Sequence, residues 1–399
     1  MMPNYIDNYQ NKSNALLAMP TLVETPAALE QLQKHLATQS LIAVDTESDS
    51  LYSYFEKICL VQISTREADY LIDPLALSDR ADAMTILAPI FASSTIEKVF
   101  HAAEYDIFCL KRDYRFQFAN LFDTMIAARI LGWKNVGLGN ILQEKFGVRL
   151  NKKMQRADWG ARPLTPEQIA YAREDTHYLL ALRDLQIKEL EQAGRLEEAR
   201  EEFARLAQVE PTPRRFDPDA YWHMNGARTL GPVGLGILRE LYRWRDAQAR
   251  HADRPPFRIL SDATLLRIAQ ARPTSPRALL RLEGVSDLIV RRYGTAILTA
   301  VARGNLAPQT TPPRPRVRED IFLDEAARTR FNKLKEWRKT RAAQRGVEPD
   351  VIVSNDVLTA IADRNPRTLE ALIEASGLGP WKAREYGEEM LNVLRGKHN

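Results

Sequence analysis

The feature that most limits what this 399-residue chain can fold into is an internal repeat in its last two fifths. The segment from Trp244 to Gly294 returns as Trp337 to Gly387, at an offset of 93 residues with no gap. Trp244-Arg245 pairs with Trp337-Arg338, Pro256 with Pro349, Ile259 with Ile352 and Ser261 with Ser354. Further along, Leu265 meets Leu358, Ile268-Ala269 meets Ile361-Ala362, Pro273 meets Pro366 and Gly284 meets Gly377. Matches that include Trp, Pro and Gly over such a length mean two copies of one small unit. Each copy reads as helical throughout. Asp262 and Asn355 sit where an N-cap belongs, Pro273 and Pro366 end the helices that follow, and Gly284 and Gly377 mark tight turns. The tryptophans read as core residues.

The first half has a different rhythm. LIAVDTE (41–47), KICLVQIS (57–64), DYLID (69–73) and KVFHA (98–102) are short, apolar and β-branched, and predict strands. Helical spacing occupies 81–92, 103–113, 122–131 and 139–146, and one long helical stretch runs from Pro166 to about Ala207. Thr165-Pro166-Glu167 opens that stretch with an N-cap and a proline at the first helical position. Proline-rich linkers lie at 209–219 and 307–320. The expected order is thus a mixed α/β domain at 1–210, one helical domain at 211–307, a linker at 308–318 and a second helical domain at 319–399.

Charge divides along the same line. Residues 1–210 hold 23 Lys and Arg against 30 Asp and Glu, whereas residues 211–399 hold 33 against 22. An acidic front suits carboxylate chemistry, and a basic back suits an anionic ligand or a merely solvated surface. Cys59 and Cys109 each sit in an apolar run, as buried reduced thiols of a cytoplasmic protein do. The first ten residues are polar, unlike a signal peptide, and no stretch approaches 18 apolar residues, which argues against a membrane span.

Four acids and a phenol carry the chemistry. Asp45 and Glu47 follow the apolar run LIAV, and a spacing of two puts both on one face of a strand. Two carboxylates so placed repel each other unless a cation neutralises them. Asp106 falls in the first turn of a helix, where the helix dipole also favours an acid, and Asp123 reads as an N-cap. Tyr171 and Asp175, four apart, share a helix face. Oxygen-only ligands suit Mg²⁺ or Mn²⁺ rather than zinc, and such a cage holds two ions about 3.5–4 Å apart.

The order Asp-x-Glu, Asp, Tyr-x-x-x-Asp resembles the DEDD exonuclease superfamily in its tyrosine subclass. The text VDTE (44–47), FHAAEYDI (100–107) and QRADWGARPLTPEQIAYAREDTHYLL (155–180) is similar to the ribonuclease D family in particular, and the repeat to its HRDC domains. The resemblance implies a multidomain fold. A ribonuclease H-like mixed sheet flanked by helices would be followed by two all-α HRDC domains. It implies a monomeric, cytoplasmic 3′→5′ exoribonuclease that trims tRNA precursors and other small structured RNAs with unpaired 3′ ends, releasing nucleoside 5′-monophosphates. On that basis Asp45, Glu47 and Asp175 would hold one divalent ion, Asp45 and Asp106 would serve a second, and Tyr171 would orient the attacking water. Lys152, Lys153, Arg156 and Arg162 are candidates for phosphate contacts, Trp159 or Gln155 for a base or the 3′-terminal sugar, and His101 for a substrate contact. Trp159 and Arg162 serve equally well as pins of their loop, and His101 as a packed strand-end residue. A DNA exonuclease with the same carboxylates and a non-catalytic RNA-binding protein are the rival readings. The chain has no G-x-x-x-x-G-K-[ST] loop, so it is not an ATP-driven motor.

Overall fold

The computed structural model describes residues 18–77, 82–212, 215–309 and 324–396. It divides into two compact units that do not follow chain order. One comprises residues up to Ser48, Ile58–Pro211 and Glu319–Asn399; the other comprises Asp49–Lys57 and Thr212–Arg318. The expected linker at 308–318 and the start of the helix expected at 81–92 fall largely or partly outside the described residues.

The first unit is built on a mixed six-stranded sheet: β1 (Thr21–Val23), β2 (Leu41–Ser48), β3 (Ile58–Ser64), β4 (Asp69–Ile72), β5 (Glu97–Phe100) and β6 (Leu121–Asp123), in the order β1-β4-β3-β2-β5-β6. β2, β3 and β4 form an antiparallel meander, while β1, β5 and β6 add in parallel. The four expected strands are present. β1 and β6 were not expected, since three residues are too few to show a period. β3 is buried along its whole length, as its run of Ile, Leu and Val requires in a sheet covered on both faces.

Around the sheet lie α1 (Pro26–Leu36), α2 (Ala88–Ala92), α3 (Glu104–Tyr114), α4 (Thr124–Ile130), α5 (Leu138–Phe146), α6 (Pro166–His177), α7 (Leu179–Gln192) and α8 (Leu196–Leu206). The single helical stretch expected from Pro166 is therefore three helices. α6 ends at Tyr178 and α7 at Ala193, where Gly194 takes a positive φ of 65° that an L side chain rarely adopts. The N-terminus of α6 is a complete capping box. Thr165 accepts from the Gln168 N–H, and the Gln168 amide oxygen accepts from the Thr165 N–H.

The second unit contains the first repeat copy: α9 (Pro232–His251), α10 (Pro256–Ile259), α11 (Asp262–Ala271), α12 (Pro276–Leu280) and α13 (Asp287–Leu306). The second copy, in the first unit, matches it helix for helix: α14 (Glu325–Arg345), α15 (Pro349–Ile352), α16 (Asn355–Arg364), α17 (Leu369–Ser376) and α18 (Pro380–Leu394). The repeated residues have repeated jobs. Arg245 donates to the Leu260 carbonyl at 2.9 Å and to Asp262 at 2.6 Å; Arg338 donates to the Val353 carbonyl and to Asn355, both at 2.8 Å. This corrects the capping expectation. The N-caps are Ser261 and Ser354, one residue earlier, which accept from Thr264 and Val357, while Asp262 and Asn355 receive the buried arginines. Gly284 and Gly377 have φ of 87° and 63°, as the expected turns require. No described helix is long and apolar enough to cross a membrane.

Candidate active site

β2 and α6 bring three acids together. One carboxylate oxygen each from Asp45, Glu47 and Asp175 lie within 4.8 Å of one another. Asp45 and Glu47 share a sheet face because the strand period is two, and the ladder breaks register between Glu47 and Ser48. Asp175 arrives from α6 one helical turn beyond Tyr171, whose phenol donates to it. Asp106 sits in the first turn of α3 and accepts from the Thr46 hydroxyl, so β2 also holds the fourth acid.

The electrostatics match that crowding. Burial, reinforced by Asp175 and Asp106, pushes the Glu47 carboxyl up to about 9. Burial also raises Asp106 and Asp175 to about 7, against hydrogen bonds from Thr46 and Tyr171 respectively. Asp45 lies well above the usual carboxylate range, through burial and the charges of Asp106, Asp175 and Glu47. Burial, with the charges of Asp175, Glu47 and Asp45, raises the Tyr171 phenol, which stays protonated as a donor. Clustered buried acids with oxygen donors only, converging on one point, fit a hard divalent cation.

Asp123 builds the entry to α3. It accepts from the N–H groups of Ala103, Met125 and Ile126 at 2.8–3.0 Å and from Ala102 at 3.3 Å. It is the expected N-cap of α4 and also braces the turn that launches Asp106. His101, at the end of β5, lies 2.8 Å from the Thr124 hydroxyl through Nδ1. That hydroxyl already donates to the Phe100 carbonyl, so Nδ1–H is the donor and Nε2 an acceptor. Burial lowers the imidazole pKa, against the pull of Asp123, and keeps the ring neutral.

The basic segment separates into two groups. Lys153, Gln155 and Arg156 lie exposed on a short 3-10 turn (Lys152–Arg156); the side chain of Lys152 is outside the described residues. Trp159, by contrast, is 1% exposed and packs 6.0 Å from Tyr171, centroid to centroid. All five Arg162 N–H groups are engaged, by Asp73, Cys59, Trp159 and Ala161. Of the alternatives the sequence left open for these two residues, the geometry places them as pins. A substrate contact would require unpacking the indole or stripping the guanidinium of its partners.

Residues not read from the sequence also shape the site. Ser64 donates to Asp69 at 2.6 Å and lies 2.7 Å from the Thr176 hydroxyl, while Asp69 also meets His177 at 2.9 Å. This chain ties α6, and with it Asp175, to β3 and β4. No local spacing announces it, because its members meet only once the sheet is formed.

Residues 20–191 match the 3'-5' exonuclease family, and residues 234–301 and 327–394 each match the HRDC domain. The chain is 30% identical to a ribonuclease D of Gluconacetobacter diazotrophicus over 380 residues, spanning 95% of this chain and 93% of that relative. The chain belongs to the ribonuclease D family. It is therefore a 3′→5′ exoribonuclease of the hydrolase class, and membership implies divalent metal ions. The catalytic core of RRP6 from Trypanosoma brucei is 34% identical, with a TM-score of 0.67 over 73% of this chain and 81% of that one. Ribonuclease D of Escherichia coli shares the fold, with 24% identity and a TM-score of 0.64 over 96% of this chain and 100% of that one. The E. coli protein is described as an exoribonuclease involved in structured RNA processing.

Proposed function

We propose that this exoribonuclease trims the unpaired 3′ ends of tRNA precursors and other small structured RNAs, releasing nucleoside 5′-monophosphates by two-ion hydrolysis. The observation that carries this reading is the convergence of Asp45, Glu47 and Asp175, drawn from a strand and a helix, on one point within 4.8 Å. Asp45, Glu47 and Asp175 would hold one Mg²⁺ or Mn²⁺, and Asp45 with Asp106 would serve a second. When bound, the ions supply Lewis acidity to the attacking water and to the leaving 3′ oxygen.

The protein groups do the positioning. Tyr171, kept protonated and donating to Asp175, orients the attacking water rather than deprotonating it. His101, neutral with Nε2 as an acceptor, receives a hydroxyl of the terminal ribose. Lys153 and Arg156, exposed beside the α6 entry, contact the phosphates behind the scissile bond, a role the charge of Lys152 also suits, and Gln155 touches a base or the 3′-terminal sugar. Water adds to the phosphorus, the bond to the 3′ oxygen breaks, and that oxygen takes a proton to become the new RNA 3′ end.

We assign the exonuclease domain to 1–210, the HRDC domains to 211–307 and 319–399, and the linker to 308–318. The family matches at 20–191, 234–301 and 327–394 fall within these limits and support them. The basic excess of the second half supports binding of the folded RNA body there. The same family reading supports a cytoplasmic monomer.

The test uses a 5′-labelled tRNA with a short unpaired 3′ trailer, given Mg²⁺ or Mn²⁺, with EDTA as control and a matching DNA strand alongside. A ladder receding from the 3′ end on RNA alone, absent with Asp175→Asn, supports the proposal. Equal digestion of DNA would replace RNA trimming with a repair-type exonuclease.

A further inference from the structure

Gln62 lies on β3 directly opposite Asp45 in the antiparallel β2–β3 pair. It is fully buried, and neither its Oε1 nor its Nε2 has a hydrogen-bond partner among the described residues. An amide left unpaired at both ends in a dry interior is costly and calls for a reason.

The register says where that amide faces. Alternation puts Leu60, Gln62 and Ser64 on one face of β3, and Val61 and Ile63 on the other. Val61 and Ile63 join the main core, whereas Leu60 packs with Leu71, Trp159 and Tyr171. Gln62 therefore faces the layer beneath α6, the helix of Tyr171 and Asp175. Its immediate neighbours on that face are Leu60 and Ser64 along the strand, Leu71 across β4 and Asp45 across β2. The two leucines offer no acceptor. The Ser64 hydroxyl is engaged by Asp69 and Thr176. Of the four, Asp45 alone presents carboxylate oxygens, and a direct cross-strand pair places Cβ atoms about 4.5–5.5 Å apart, within reach of a glutamine amide.

We infer that Gln62 is a positioning residue of the metal centre: its amide N–H donates to the ionised Asp45 carboxylate and fixes which oxygen faces the cation. This rests on the metal reading above. Outer donors of this kind typically change metal affinity about 10–100-fold.

The experiment measures Mn²⁺ binding by electron paramagnetic resonance, and melting of the metal-free protein, for the full chain and its Gln62→Met variant. Methionine keeps the length and volume and removes the amide. The expected result is Mn²⁺ binding weakened about tenfold, with a metal-free melting temperature equal to or above that of the parent. Binding within twofold of the parent would overturn the inference, as would a lower melting temperature with unchanged binding. Gln62→Asn, which keeps the amide but shortens its reach, serves if the methionine variant does not fold, and should also bind Mn²⁺ more weakly. Collapse of both variants would assign the amide to the fold and overturn the inference. Asp45→Asn tests the underlying reading: if it and the parent bind Mn²⁺ alike, the metal centre itself is misassigned and the role of Gln62 falls with it.

Discussion

Glu198 on α8 and Arg345 at the end of α14 form a two-pronged ion pair, Nη1 to Oε1 at 2.8 Å and Nη2 to Oε2 at 2.9 Å, with the glutamate fully buried. Tyr386 of α18 accepts a further bond from Arg345 at 2.6 Å. Around this pair Glu201 accepts from the N–H groups of Trp381 and Lys382 at the start of α18, and Arg129 grips Asp350. Gly132 meets the Gly346 carbonyl so closely that an added Cβ would collide with it. The second HRDC copy is thus bound to the exonuclease domain by charge, not merely tethered to it.

Removing one partner of a buried pair strands the other charge, at a cost of about 3–5 kcal/mol. Glu198→Ala should therefore lower the melting temperature strongly in calorimetry, whereas Arg200→Ala, whose partner Glu197 is exposed, should change it little. Equal small effects would mean that the interface is held by its apolar contacts alone.

The acid cluster sets a pH dependence. Glu47, Asp106 and Asp175 have folded pKa values of about 9, 7 and 7, above those of free carboxyls. The folded state therefore binds more protons than the unfolded chain between about pH 4 and those values, and its stability falls as pH rises through them. Metal-free protein should melt at progressively lower temperature from pH 5 to 9, and Mg²⁺ should restore the loss most at the alkaline end. A melting temperature that rises with pH without metal would contradict the cluster.

Arg162 and Lys153 should part company on substitution. Arg162→Ala removes five hydrogen bonds around Asp73 and the Trp159 loop and should lower both stability and kcat. Lys153→Ala, at an exposed position, should leave the melting temperature unchanged and raise KM for RNA, more so at low salt. Steady-state kinetics beside thermal melts separate the two.

The loop at 49–57 leaves β2 two residues after Glu47 and belongs to the compact unit of the first HRDC copy. Asp253 accepts from the N–H groups of Tyr54 and Phe55, both at 2.9 Å, and Tyr54 donates to Asp246 at 2.9 Å. Asp253→Ala should free this loop, seen as faster proteolytic nicking within 49–57, with kcat falling more than metal-free stability. Unchanged nicking would show that the brace made by Asp49 with Ser53 and Lys57 suffices.

The candidate chemistry was legible where it depends on local spacing. Asp45 and Glu47 on a strand period, and Tyr171 and Asp175 on a helix period, could be placed on common faces before any fold was known. Trp159 and Arg162 could not be sorted, because whether a loop residue faces solvent or packs under a helix depends on Tyr171 and Asp73, which lie far from it along the chain. Thr46, Asp69, Ser64 and Gln62 went unread for the same reason.

By itself the sequence determined the α/β order, the two repeated helical copies, the caps within a residue and the shared faces of Asp45 with Glu47 and of Tyr171 with Asp175. Each of these depends on periods of two or 3.6, or on Gly and Pro acting within a few residues. Only the tertiary structure decided that the second copy packs with the exonuclease domain while the first gathers the loop after β2. It also set the raised pKa values of the acids and left Gln62 opposite Asp45 without a partner among the described residues. Burial, ion pairing and desolvation are properties of surfaces brought together across long stretches of chain, and no local pattern encodes them.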